Sequence, residues 1–427
     1  MTKRLVRLAA VLAAAMLCAV PLWAAQQTKP LVYWGWEYTV ECLKANMDEF
    51  ARAHPEIKVV FKTLSPADIY VKLPSALSSG IGVPDVVAVE DSHLPAVIST
   101  GGVLDLTAQA AAYQPAFNAF KWANCAPGGR IYAIPWDSGP VAVFYRRDVF
   151  RQAGLPEEPD RVAKLLETWE DFCLAARTVK EKTGAAMLPL AANSNDGRFF
   201  EMLLQQQGLG YFDDKGRVAV EDPRSLRALE LLGRLYKDGL THDSQPWTPP
   251  WQEALRDGRT ATVIGGAWMD SFLRGWIAPQ TAGQWGVAPL PGWTKGNGTR
   301  TSNDGGSALI IPKRAKQTEA AWTFVQFMMA RKESQLNMMK KFDSFPALTA
   351  AYSDPYFAEP VPFYANQPVR KLFAELVRQV RPWPYTEHYA LANNACSAEI
   401  QAYLSGAKSA KAALASAAAA IRARMGK

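Results

Sequence analysis

The sequence predicts an α/β protein of two lobes, each assembled from separate stretches of chain. Three observations lead there. Between residues 31 and 107 short apolar strands alternate with helical stretches, the signature of parallel βαβ units. From Thr168 the pattern changes to helices with few strands, and at Ser307 a buried-type strand returns. The roughly 400 residues that follow an N-terminal leader also exceed what one hydrophobic core usually serves.

The elements follow in order. Leu31 to Gly35 is a strand; Val40, Leu43, Met47 and Phe50 then repeat at helical spacing until Pro55 ends the helix. Ile57 to Phe61 is the next strand, a helix runs from about Pro66 to Ser79, Asp85 to Val89 is the third strand, and a further helix reaches Gly101. Ile131 to Pro135 and Val141 to Tyr145 are strands whose link, with Pro135, Gly139 and Pro140, resists any continuous helix and reads as a hinge. Arg146 and Arg147 open a short helix stopped by Gly154 and Pro156. Helices are expected over roughly 168–182, 196–207, 223–238 and 249–257, with a strand at Ala261 to Ile264. Ser307 to Ile311 is a strand closed by Pro312, and Glu319 to Met329 an apolar helix.

Composition narrows the function classes. Residues 1–25 carry Lys3, Arg4 and Arg7, an apolar run from Leu8 to Val20 that is too short to span a bilayer, and the small residues Ala24 and Ala25. This reads as a secretory signal peptide. Leu17 beside Cys18 makes a poor lipobox, which disfavours a lipoprotein. The whole chain holds 47 Lys and Arg against 40 Asp and Glu; without the leader, 44 against 40 remain, a net charge of +4. No run of like charge and no Arg-rich stripe with interleaved aromatics supports nucleic-acid binding. The four cysteines after the leader, Cys42, Cys125, Cys173 and Cys396, show no metal spacing. The four histidines and the lack of a GxSxG leave a Ser/His/Asp hydrolase without support.

Four ordered blocks carry a resemblance. They are GGRIYAIPWDSGPVAVFYRRDVFRQAGL from Gly128, SSGIGVPDVVAVEDSHLPAVISTGGVLDLT from Ser78, RTATVIGGAWM from Arg259, and WGVAPLPG from Trp285 leading into NDGGSALIIPKRAKQTEAAWTFVQFMMARKESQ from Asn303. Together they span nearly all of the chain after the leader. The chain resembles the bacterial extracellular solute-binding proteins of family 1, the carbohydrate-type receptors that feed ABC importers. The resemblance implies the periplasmic binding protein-like fold, two discontinuous α/β lobes joined by a hinge with a ligand cleft between them. It places residues 26–137 and about 301–344 in the N-terminal lobe and about 138–300 and 345–427 in the C-terminal lobe. On that division Cys42 would pair with Cys125 and Cys173 with Cys396, with buried free thiols as the alternative.

The resemblance further implies a monomeric periplasmic receptor that closes on a sugar, oligosaccharide or polyol and docks on permease subunits. It implies no catalysis, metal or cofactor. In open α/β sheets ligands lie beyond the carboxyl ends of strands, and a pyranose needs aromatic faces and planar hydrogen-bonding groups. Trp268, after Gly265 and Gly266, is the first candidate for stacking. Trp34 and Trp36 follow, of which one is expected to be structural. Glu37, Asp91 and Asp137 are candidate hydroxyl acceptors, with an N-cap as the alternative for Asp91. Trp136 joins Asp137 in the hinge link; Asp304 and Gly306 lead into the returning strand, and Trp383 and Tyr385 would reach the cleft from the second lobe. Trp122, Trp169, Trp247, Trp251 and Trp322 are assigned to packing. Two readings compete: a receptor of the same fold for a phosphorylated polyol or acidic sugar, held by Arg, Lys and backbone N–H groups, and a secreted glycan-active enzyme using two of the carboxylates.

Overall fold

A computed structural model describes residues 30–193 and 197–426. The expected signal peptide at 1–25, with Cys18, lies outside the described residues. Among the described residues ten strands form three sheets: β1 Leu31–Gly35, β2 Val59–Thr63, β3 Val86–Glu90, β4 Ala133–Pro135, β5 Val141–Arg146, β6 Leu188–Pro189, β7 Thr241–His242, β8 Thr262–Gly266, β9 Trp285–Pro289 and β10 Ser307–Ile310. The first lobe is built on a five-stranded sheet in the order β2-β1-β3-β10-β4, and the second on a three-stranded sheet in the order β8-β5-β9, beside the short pair β6-β7. In the first sheet β1 runs parallel to β2 and β3, while the returning β10 lies antiparallel between β3 and β4.

The central strands of the first sheet are apolar on both faces because helices cover both. Tyr33, Val86, Ala88 and Leu309 face Phe50 and Phe324; Trp34, Val87, Val89 and Ile310 face Ile69 and Leu73 of the helix Pro66–Ser79. In the second lobe Val143 and Tyr145 face the large helical layer that includes Trp169–Thr183 and Ala410–Arg424, whereas Ala142 and Phe144 face a smaller core with Trp251 and Phe373. The helix at 169 starts as its sequence dictates: Thr168 and Asp171 form a reciprocal capping box. No helix among the described residues is long and apolar enough to cross a membrane.

Two sequence expectations need correction. The helix expected from Val40 to Phe50 is two helices, Glu37–Lys44 and Met47–Ala53. They break at Asn46, which is buried and turns its amide to the carbonyl of Ser334 at 3.1 Å while accepting from Asn337. The pairings of Cys42 with Cys125 and Cys173 with Cys396 do not form: all four thiols are free and buried. Cys42 and Cys125 pack in the cores on opposite faces of the five-stranded sheet. Cys173 and Cys396 share the large core of the second lobe as small apolar residues.

The chain passes between the sheets at three adjoining places, marked by the bridges Asp137 to Pro346 and Pro140 to Asn303. Gly139 sits where two of these crossings touch: it accepts from the Asp304 N–H at 2.8 Å, and a Cβ at this position would stand 1.8 Å from the Asp304 carbonyl oxygen. No side chain fits there without moving backbone. Gly139→Ala is therefore expected to destabilise the protein by about 1–3 kcal/mol, the scale of overpacking, read as a lowered midpoint in thermal denaturation. An unchanged midpoint would mean that the two crossings separate without cost.

Candidate functional site

The crossings form the floor of a cleft between the lobes, and a cavity of about 490 Å³ opens there. Its wall from the first lobe is short and polar: Trp36 just past β1, Glu90 at the end of β3, and Asp137 in the crossing. The wall from the second lobe is apolar and aromatic, with Phe199, Trp247, Trp251, Trp268 and Phe272. Trp268 follows β8 directly, and its ring packs at 5.8 Å from Trp247 and 5.5 Å from Phe272. Trp247 in turn lies 5.2 Å from Trp251 and edge-on to Phe272 at 5.6 Å. The Trp268 indole N–H donates to the Asp304 carbonyl at 2.8 Å, which fixes the ring against the crossing. Gly266 leaves room for that ring: a Cβ there would meet its Nε1 at 2.5 Å. The space the glycine opens thus belongs to the protein's own tryptophan.

Charge in the cavity is mainly negative. Glu90, Asp137 and Asp304 face one guanidinium, Arg198, whose Nη1 donates to Asp304 Oδ1 at 2.8 Å. Asp137 Oδ1 accepts the Ser307 N–H at 2.7 Å. Burial pushes the Asp137 carboxyl up to about 6, against the opposing pull of Lys121. A raised carboxyl favours the folded state at low pH; that contribution is full below about pH 4 and is lost as pH rises through about 6. For a ligand hydroxyl that donates to the carboxylate the dependence is reversed, because only the ionised form is a pure acceptor. Affinity for a neutral ligand is expected to fall below about pH 6, by at most about tenfold per pH unit, and Asp137→Asn is expected to flatten the profile. Titration calorimetry between pH 4.5 and 8 checks this; a flat wild-type profile would remove Asp137 from ligand contact.

Trp36, Asp137, Trp268 and Asp304 stand together in this cavity. Gly306 and Tyr385 lie beside it, in a recess of about 50 Å³ that Arg198 and Asp304 share. The other candidates stand elsewhere. Trp34 belongs to the core above the sheet, with Lys62 over its ring at 5.2 Å. Glu37 is an exposed residue in the first turn of its helix, where a negative charge complements the helix dipole. Asp91 is buried and turned away from the main cavity, taking Lys121 Nζ at 2.5 Å on one oxygen and Asn124 on the other; the second of these oxygens is near Gly306, and the residue only edges the small recess. Trp136 is 1% exposed beneath the sheet, and Trp383 packs edge-on against Tyr211 at 5.3 Å in the second-lobe core. Conversely, Trp247 and Trp251, assigned to packing from sequence, line the cavity. Arg198, at the start of the helix Arg198–Gln206, was not among the candidates.

Two sheets joined by crossing strands, with an aromatic and carboxylate-lined cavity on the crossings, define a two-lobed ligand-binding protein. The chain belongs to the bacterial extracellular solute-binding proteins, whose family model matches residues 37–335. It is 27% identical over 380 residues to the lactose-binding protein of Rhizobium radiobacter, covering 87% of this chain and 86% of that one. It is 26% identical over 309 residues to the arabinooligosaccharide-binding protein of Bacillus subtilis, covering 70% and 67%. Among solved structures, an extracellular solute-binding protein of family 1 superposes with a TM-score of 0.80 at 26% identity, over 92% of this chain and 99% of that chain.

Proposed function

We propose that this protein captures a carbohydrate in the interlobe cavity by hinge closure and delivers it to the permease of an ABC importer. The single observation that carries the reading is the pairing of an aromatic wall on one lobe with carboxylates on the other. A sugar ring presents a C–H face that packs on tryptophan and a rim of hydroxyls that donate to carboxylate. The relatives named for lactose and for arabinooligosaccharides support the same class. Three carboxylates against one guanidinium work against a phosphorylated or uronic ligand.

In this reading Trp268, Trp247 and Trp36 stack on the ligand, Asp137 and Glu90 accept its hydroxyls, and Arg198 with Asp304 orients the rim. The lobes divide at residues 138, about 301 and 344. The chain works as a monomer without catalysis, in the periplasm, after removal of residues 1–25, and surfaces of both lobes meet the permease. A thermal-shift screen against neutral sugars, oligosaccharides, uronic acids, polyols and glycerol phosphates tests the class, since a ligand at 100 times its Kd adds about 2.7 kcal/mol. Stabilisation by neutral saccharides is expected; stabilisation confined to glycerol phosphates or uronic acids would replace the reading with an anion receptor.

A further inference from the structure

The loop that leaves β9 carries a chemistry unrelated to the cleft. Of the asparagines in the sequence only Asn297 is followed by glycine. Among the described residues no helix or strand lies between β9 and β10, and residues 294–298 are all exposed. The stretch is pinned on both sides of the pair: the Gly296 N–H donates to Glu167 Oε1 at 2.9 Å, and the Thr299 carbonyl accepts from the Gln206 amide at 2.8 Å. Between those anchors neither the Asn297 side chain nor the Gly298 N–H has a hydrogen-bond partner among the described residues. Gly298 stands in open space at φ 138°, where a Cβ would meet its nearest neighbour only at 4.0 Å.

Other asparagines show the opposite arrangement. Asn303 Oδ1 accepts the Gly139 N–H at 3.0 Å while its amide donates to the Gly305 carbonyl at 2.7 Å. Asn118 is tied to Tyr352 and Asn393 to Glu201. The residues after these three, Asp304, Ala119 and Asn394, all carry a Cβ. An asparagine side chain reaches the backbone N–H groups beside it. A following glycine neither shields its nitrogen with a Cβ nor restricts the rotation that brings that nitrogen to the side-chain carbon.

We infer that Asn297 is a site of spontaneous deamidation. Hydroxide takes the Gly298 N–H proton, and the nitrogen attacks Asn297 Cγ to close a succinimide ring. The Cγ–Nδ2 bond breaks, and Nδ2 leaves as ammonia after taking a proton from water, which restores the hydroxide. Water then opens the ring at either carbonyl, leaving aspartate or isoaspartate. The balance is amide plus water to carboxylic acid plus ammonia, with no oxidant, metal or second protein. With an ordinary pKa of about 4 the new carboxyl adds one negative charge at neutral pH. It joins Asp160 and Glu167, beside Lys164 and Arg300, in a surface cavity of about 700 Å³ whose lining differs throughout from that of the cleft cavity. The protein therefore comes to exist in two charge forms with the same ligand site.

The purified protein, native and unfolded in urea, is held at 37 °C at pH 6 and at pH 9 and then digested for mass spectrometry. In the native protein a mass gain of about 1 Da is expected at Asn297, ahead of any gain at Asn303 or Asn393, with a more acidic band on isoelectric focusing. The gain is expected to be faster at pH 9, because hydroxide drives the attack. Asn297→Gln, whose longer side chain closes a larger ring more slowly, is expected to lack that band. A gain confined to the unfolded protein would mean that the loop holds nitrogen and carbon apart, and it overturns the inference. A gain that appears first at another asparagine, or no gain at all, overturns it equally.

Discussion

Lys121→Met is expected to lower stability by about 3–5 kcal/mol, the cost of leaving a buried charge without its partner. Lys121 is fully buried on the helix Ala119–Cys125, and its ammonium bonds both Asp91 and the Ser307 carbonyl. It thereby joins the end of β3 to the start of β10, directly behind the cleft floor. Methionine keeps the stem and removes the charge, so Asp91 retains only Asn124 on its carboxylate. Asp137 loses the ammonium that pulls its carboxyl down against burial and the Asp91 charge. The cost should consequently shrink with acid: without Lys121 the Asp137 carboxyl binds its proton more readily than in the wild type, and the variant's relative stability rises as pH falls. Thermal melts at pH 7.5 and pH 5 read both parts. A cost below about 1 kcal/mol at pH 7.5 would mean that water reaches the pair and that it belongs with surface ion pairs instead.

The same corner shows why the fold was more legible than the site. Alternation of apolar strands and helices dictates the layers whatever the details, because both faces of β1, β3 and β10 must be covered. A site depends on which way individual side chains turn, and that is set by neighbours distant in sequence. Glu90 and Asp91 both follow β3, yet Glu90 reaches the cavity while Asp91 turns to a lysine thirty residues on, which nothing near Asp91 announces. Trp36 escapes the core because the strand ends at Gly35, whereas Trp34, still within it, is held in the helix-covered face. Reasoning from strand ends found Trp268 and Trp36, and reasoning from the hinge link found Asp137. It could not find Arg198, at a helix start, or Trp247, in the Pro-rich loop between β7 and the helix Pro249–Arg256. A tryptophan among prolines reads as packing until a partner such as Trp268 is brought to 5.8 Å by the fold.

Trp268→Ala is expected to weaken binding of a stabilising saccharide about 10- to 100-fold, or about 1–3 kcal/mol, on the scale measured for ring stacking at aromatic platforms. Three losses combine. The stacking face disappears, Trp247 and Phe272 lose the ring that braces them, and the Asp304 carbonyl loses its indole donor at the crossing between the lobes. Trp268→Phe separates these effects: it keeps an aromatic face and gives up the hydrogen bond. If stacking dominates, the phenylalanine variant retains most of the affinity. If the bond to Asp304 dominates, both variants bind poorly, and the crossing rather than the ring face governs capture. Affinity unchanged in Trp268→Ala would return this residue to the packing of the second lobe and leave Trp247 and Trp36 as the stacking surface. Calorimetry of the two variants beside wild type, each first shown to melt cooperatively, decides among these outcomes.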